Sequence, residues 1–84
     1  MKLRINYNLQ AEVDTTKADC SEEPAHCHIT RRGLRCGQVW LNPVSIKPGH
    51  NLDHNEINLV YDFVSDHRYE LEREYEHNRM YGAD

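Results

Sequence analysis

His26-Cys27-His28-Ile29-Thr30, then Arg31-Arg32-Gly33, then Leu34-Arg35-Cys36-Gly37-Gln38-Val39-Trp40-Leu41 is the stretch that decides the fold. Two β-prone runs flank a short basic turn that ends in glycine, the pattern of a β-hairpin. A three-residue loop needs its last residue in the left-handed region, and Gly33 supplies it. That loop pairs Thr30 with Leu34. It places Cys27, Ile29, Gly37, Val39 and Leu41 on one face, and His26, His28, Cys36, Gln38 and Trp40 on the other. A two-residue turn shifts the parity and mixes apolar with polar side chains, so the three-residue loop is expected.

Upstream, Leu3, Ile5, Tyr7 and Leu9 alternate with Lys2, Arg4, Asn6 and Asn8, which reads as one half-buried strand. Val13 allows a short extension. Residues 14–25 are polar and acidic and read as a mobile loop. Downstream, Asn42-Pro43 closes the hairpin, and Val44-Ser45-Ile46 can form a short edge strand before Pro48-Gly49. Asp53 with Glu56 three residues on is a capping-box signature. From there Ile57, Tyr61, Val64, Leu71 and Tyr75 make one apolar stripe of a helix over residues 53–79, with Leu59 and Phe63 on the opposite side.

The expected architecture is therefore α+β and a single domain over residues 1–84. The strands lie within residues 1–41, and a small antiparallel sheet of three to four strands packs against one long C-terminal helix. Such a helix is roughly 39 Å long. A chain of this size folds into a body about 30 Å across. The helix should overhang, leaving Leu59, Phe63, Leu71 and Tyr75 to be covered by a partner.

The chain has 84 residues, 38% of them hydrophobic and 29% charged, enough apolar content for a thin core. Its net charge of −4 argues against general affinity for nucleic acid or anionic membranes. No run approaches the ~20 apolar residues of a membrane span. The first residues lack a signal-peptide core, and three cysteines fit a reducing compartment better than a disulfide framework, so the cytoplasm is the expected location.

Candidate chemistry is sparse. In the three-residue-loop register His28 faces Cys36 with His26 beside it, an imidazole and thiolate set that could hold zinc, with Cys20 or Cys27 as further donors. No Cys-x-x-Cys pair accompanies it, and the ordinary reading is polar strand residues and small apolar cysteines, so no cofactor is expected. Cys27 as a nucleophile is disfavoured, because adjacent strand residues point to opposite faces. His50 and His54 read as capping or surface residues, and His67 and His77 as solvated. Arg31, Arg32 and Arg35 form a basic hairpin tip that could meet an acidic surface or phosphate. Glu70, Glu72, Glu74 and Glu76, interleaved with Arg68, Arg73 and Arg79, read as a solvated ion-pair face.

Pro24-Ala25-His26-Cys27-His28-Ile29, then Gly33, Gly37-Gln38-Val39-Trp40-Leu41, Leu59-Val60 and Glu70-Leu71 resemble a bacterial family of short proteins, domain of unknown function 4160. Its hallmark is Pro-Pro-His-x-His-Val, a strand after a glycine turn, then one helix with Leu-Val and a later Glu-Leu. Ala25 stands where the second proline is usual, and Tyr75 where a late tryptophan is usual. The resemblance implies small proteins of mobile operons resembling toxin–antitoxin pairs, and a regulatory or interaction role with no assigned activity.

Two functions follow as expectations. The first is a small regulatory protein-interaction module, antitoxin-like or a mobile-element inhibitor. It would bind a second copy or another protein through Leu59, Phe63, Leu71 and Tyr75, with Trp40, Arg31 and Arg32. The second is a small hydrolase or nuclease using His26 and His28, with or without zinc.

Overall fold

A computed structural model describes residues 1–14 and 24–82. Five strands form one antiparallel sheet in chain order: β1 (Lys2–Arg4), β2 (Leu9–Glu12), β3 (His26–Arg31), β4 (Leu34–Leu41) and β5 (Val44–Ile46). Two helices follow, α1 (His54–Asp66) and α2 (Arg68–Tyr81). The α+β class holds, with five strands and two helices in place of three to four strands and one helix. Of the loop expected over residues 14–25, residues 15–23 lie outside the described residues, and Cys20 with them.

The fifth strand comes from the N-terminus, where the alternation hid a turn. Asn6 Oδ1 accepts the backbone N–H of Asn8 and of Leu9, both at 2.9 Å. Such a side-chain turn reverses the chain, and Ile5 N–H donates to the Leu9 carbonyl at 2.9 Å. Tyr7 sits on the turn, 90% exposed rather than half-buried. The even spacing survives the reversal because Leu3 pairs with Ala11, which keeps Leu3, Ile5, Leu9 and Ala11 on one face.

The β3–β4 turn has two residues, not three. Arg32 and Gly33 both have positive φ, 53° and 83°, which matches the right-handed twist of the flanking strands. Arg31 pairs with Leu34 and Thr30 with Arg35, then the register slips by one so that Ile29 pairs with Gly37 and His28 with Gln38. The slip is a β-bulge at Cys36, which restores the parity the shorter turn would have lost. Cys27, Ile29, Val39 and Leu41 thus share a buried face as expected, but against partners shifted by two residues. The Asn42-Pro43 peptide at the next turn is cis.

A straight rod over residues 54–81 would be roughly 42 Å long, yet the longest dimension of the protein is 35 Å. The helical run breaks at His67, with φ −108° and ψ 15°. The His67 backbone N–H and the ring Nδ1 both donate to the Phe63 carbonyl, at 3.0 and 2.9 Å. The ring stacks on Phe63 at 4.0 Å between centroids. The break keeps α2 on β3 and β4 rather than beyond them. Leu71 (0% exposed) and Tyr75 (2%) are therefore core, not an uncovered surface. The α1 stripe is Ile57, Val60 and Val64, while Tyr61 points outward at 47% exposure.

The helix start is as the capping signature foretold. Asp53 Oδ1 accepts the Glu56 N–H at 2.8 Å and Glu56 Oε1 accepts the Asp53 N–H at 3.0 Å. Glu56 also takes Arg31 side-on, with Nε donating to Oε2 at 3.2 Å, and Arg31 reaches the Asn51 carbonyl at 2.9 Å. One carboxylate thus ties the hairpin tip to the first helical turn.

Two outcomes follow. Leu71→Ala should lower unfolding free energy by roughly 2–5 kcal/mol in urea titration, whereas Leu59→Ala should change it by less than about 1 kcal/mol. The Arg31 hydrogen bond, then the Asp53 N–H, hold the Glu56 carboxyl below its ordinary value of 4.5. A carboxylate depressed on folding stabilises the fold above its unfolded pKa, and that contribution is lost as pH falls through the lower folded value. Glu56→Gln should therefore flatten the acid side of the stability–pH curve, below about pH 4.5.

Candidate functional site: a buried histidine pair and an acidic tyrosine ridge

Strand β3 is central in the sheet, and residues 26–30 are buried on both of its faces. Both imidazoles lie inside, His26 1% and His28 7% exposed, instead of forming an open two-histidine surface. The reason is Tyr75, whose ring centroid lies 5.3 Å from that of His26, with Trp40 at 5.8 Å and His28 at 5.0 Å in edge-on contacts. His26 Nδ1 lies 2.9 Å from the Pro24 carbonyl. A carbonyl only accepts, so this nitrogen carries the proton, and in the neutral ring Nε2 holds the lone pair. Trp40 is half-buried, with Lys47 Nζ 5.7 Å from its centroid.

The expected zinc set does not assemble as drawn. The register puts Gln38, not Cys36, across from His28, and the Cys36 thiol lies 3.5 Å from the Ile29 carbonyl. Among the described residues no group of three His, Cys, Asp or Glu side chains is placed to hold a metal. Burial pushes the Cys27 thiol up to about 12 and also raises Cys36. A thiol at that value is a small apolar side chain, not a nucleophile. His50 Nδ1 accepts the Leu52 N–H at 3.1 Å, a local turn-holding role, and His54 is exposed.

The basic tip is largely spoken for within the fold. Arg31 is bound to Glu56, and Arg35 pairs with Asp14 at 3.0 Å. Arg32 is exposed and in no ion pair among the described residues. Of the four helical residues expected to meet a partner, Leu71 and Tyr75 are core, Phe63 is half-buried under its stack with His67, and Leu59 is 40% exposed.

The open surface lies on the outer side of both helices. Tyr61 (47%), Tyr69 (80%), Met80 (58%) and Tyr81 (72%) are all exposed there. Residues 54–81 carry seven carboxylates against three arginines, while the rest of the chain balances seven against seven. The whole net charge of −4 therefore resides on the helices. Glu72 pairs with Arg68 at 3.2 Å and Glu76 with Arg79 at 2.7 Å. Asp62, Asp66, Glu70 and Glu74 take part in no ion pair among the described residues. Phasing the stripe on Tyr61 concealed this ridge. Phasing it on Val60 and Val64 puts Tyr69, Arg73 and Met80 opposite the buried side of α2.

Residues 16–76 match the family described as Domain of unknown function (DUF4160). The chain belongs to that family. The match spans His26 and His28, the bulge and the break at His67, and it brings no activity with it. Comparison with curated proteins and comparison with solved structures each gave no match.

No helix is long and apolar enough to cross a membrane among the described residues. Alkylation should reflect the buried thiol. Iodoacetamide at pH 8 should leave Cys27 unmodified in the folded protein and modify it in concentrated urea, read by peptide mass mapping. Labelling of folded Cys27 at the rate of a free thiol would contradict its burial.

Proposed function

We propose that the protein is a small regulatory interaction module, antitoxin-like or an inhibitor carried by mobile elements, that covers a basic surface on another protein. The observation that carries this reading is that the two helices bear the chain's net negative charge together with four exposed large side chains, Tyr61, Tyr69, Met80 and Tyr81. Tyrosine supplies contact area at low entropic cost, and an excess of one charge sign sets orientation and encounter rate. A second copy is disfavoured as the occupant, because a symmetric contact through this ridge brings like charges together. Nucleic acid is disfavoured for the same reason. The partner is therefore a different protein with excess Lys and Arg at its contact face. The hydrolase or nuclease alternative would require substrate to reach imidazoles that are 1% and 7% exposed.

A photoactivatable side chain placed at Tyr69 in cells that encode the protein should capture one predominant protein. The same group at Tyr7, on the far turn, should not. The purified pair should then bind with affinity reduced at least about tenfold by Tyr69→Asp. Capture of the same protein through Tyr7 but not through Tyr69 would reject the reading.

A further inference from the structure

Where α1 gives way to α2, the outer ridge meets the β4–β5 turn and a groove of about 460 Å³ opens. Tyr61, Tyr69, Pro43, Val44, Ser65 and Asp66 are among the residues that line it. Both rings are presented by fixed backbone, one on each side of the His67 break, and both are exposed at 47% and 80%. Asp66 is exposed and in no ion pair among the described residues. Arg68, which also borders the groove, has its Nε turned to Glu72 at 3.2 Å.

We infer that this groove receives an arginine or lysine side chain of the partner protein, its cation set against the Tyr61 and Tyr69 rings and its charge met by Asp66. The inference rests on the reading of the ridge as a contact for a basic protein, and names the group recognised. Three properties of the groove point the same way. Aromatic rings attract a cation through their negative faces. A carboxylate at the rim supplies the countercharge, in a region where the surrounding helices are net acidic. Pro43 and Val44 in the lining offer apolar contact to the methylene stem, which long cationic side chains bury while keeping the head polar. An acidic side chain would meet repulsion at Asp66, and the Arg68 guanidinium that borders the groove is already engaged by Glu72. The planar guanidinium can stack on a ring and bond a carboxylate at once, so arginine should bind more tightly than lysine.

The test uses the full chain and an acetylated, amidated octapeptide of alternating glycine and arginine, followed by amide chemical shifts. The signals of Val44, Tyr61, Ser65 and Tyr69 should move saturably. Tyr61→Ala, Tyr69→Ala and Asp66→Asn should each weaken binding by about fivefold, and Tyr7→Ala, on the β1–β2 turn outside the groove, should leave it unchanged. The lysine counterpart should bind at the same signals more weakly, and a glycine–glutamate peptide should move none. All three groove residues are exposed, and unchanged circular dichroism would verify that the variants fold. Shifts centred on residues 70–76 and indifferent to the three substitutions would mean diffuse attraction and would overturn the inference, as would no shift at millimolar peptide. In either case capture through Tyr69 could still succeed, so the two readings fail separately.

Discussion

One helical run longer than the body has to stay packed against a five-stranded sheet, and the bend at His67 is what reconciles the two. The run is too long for a body whose longest dimension is 35 Å. Without a break, Leu71 and Tyr75 would extend past the sheet and expose their apolar area. With it, both reach the core. Neither proline nor glycine marks the site. A histidine whose ring and backbone N–H share one carbonyl does the bending, aided by a stack on Phe63. Competition of a side chain for a backbone acceptor is a recognised cause of helix distortion.

The bend would be idle if the helix could pivot about its start. The Arg31–Glu56–Asp53 junction prevents that. Glu56 satisfies the backbone of the cap and accepts the guanidinium of the hairpin tip together, so the first turn of α1 is fixed to the end of β3. The tip in turn owes its position to the two-residue turn and the Cys36 bulge. A turn one residue longer would rotate Arg31 relative to Glu56. The small core tolerates the bulge because the Cys36 side chain replaces lost ladder contact with burial, at 8% exposure.

Much of this was legible in the residues. The capping box, the edge strand at Val44–Ile46 and the apolar face of Cys27, Ile29, Val39 and Leu41 all follow from local chemistry and parity. Features that depend on counting across a reversal are not legible in this way. Leu3, Ile5, Tyr7 and Leu9 keep an even spacing whether or not the chain turns at Asn6, so periodicity could not report the turn. The hairpin register was off by two because a two-residue turn with a bulge conserves the same parity as a three-residue loop. The burial of His26 and His28 was invisible for a different reason. Polar residues on one strand face read as solvent-facing unless it is known that Tyr75 returns over them, and that depends on the bend. His26 and His28 thus belong to the packing of this chain.

The ridge shows the same dependence from the outside. If the helix overhung, its greasy residues would be the obvious docking surface, and a charge introduced at Leu71 would be a clean test of binding. With Leu71 fully buried, such a change would unfold the protein and report nothing about a partner. Burying the long apolar stripe leaves tyrosines, carboxylates and a few single apolar side chains on the helices' exposed side. The bend that completes the core also sets Tyr61 and Tyr69 on either side of a single groove. Residues eight apart on an unbroken helix lie about 12 Å apart along its axis and about 80° apart around it. A local departure at His67 is therefore part of what lets both rings border one cavity with Pro43 and Val44. Core formation and the geometry of the outer surface follow from the same residue.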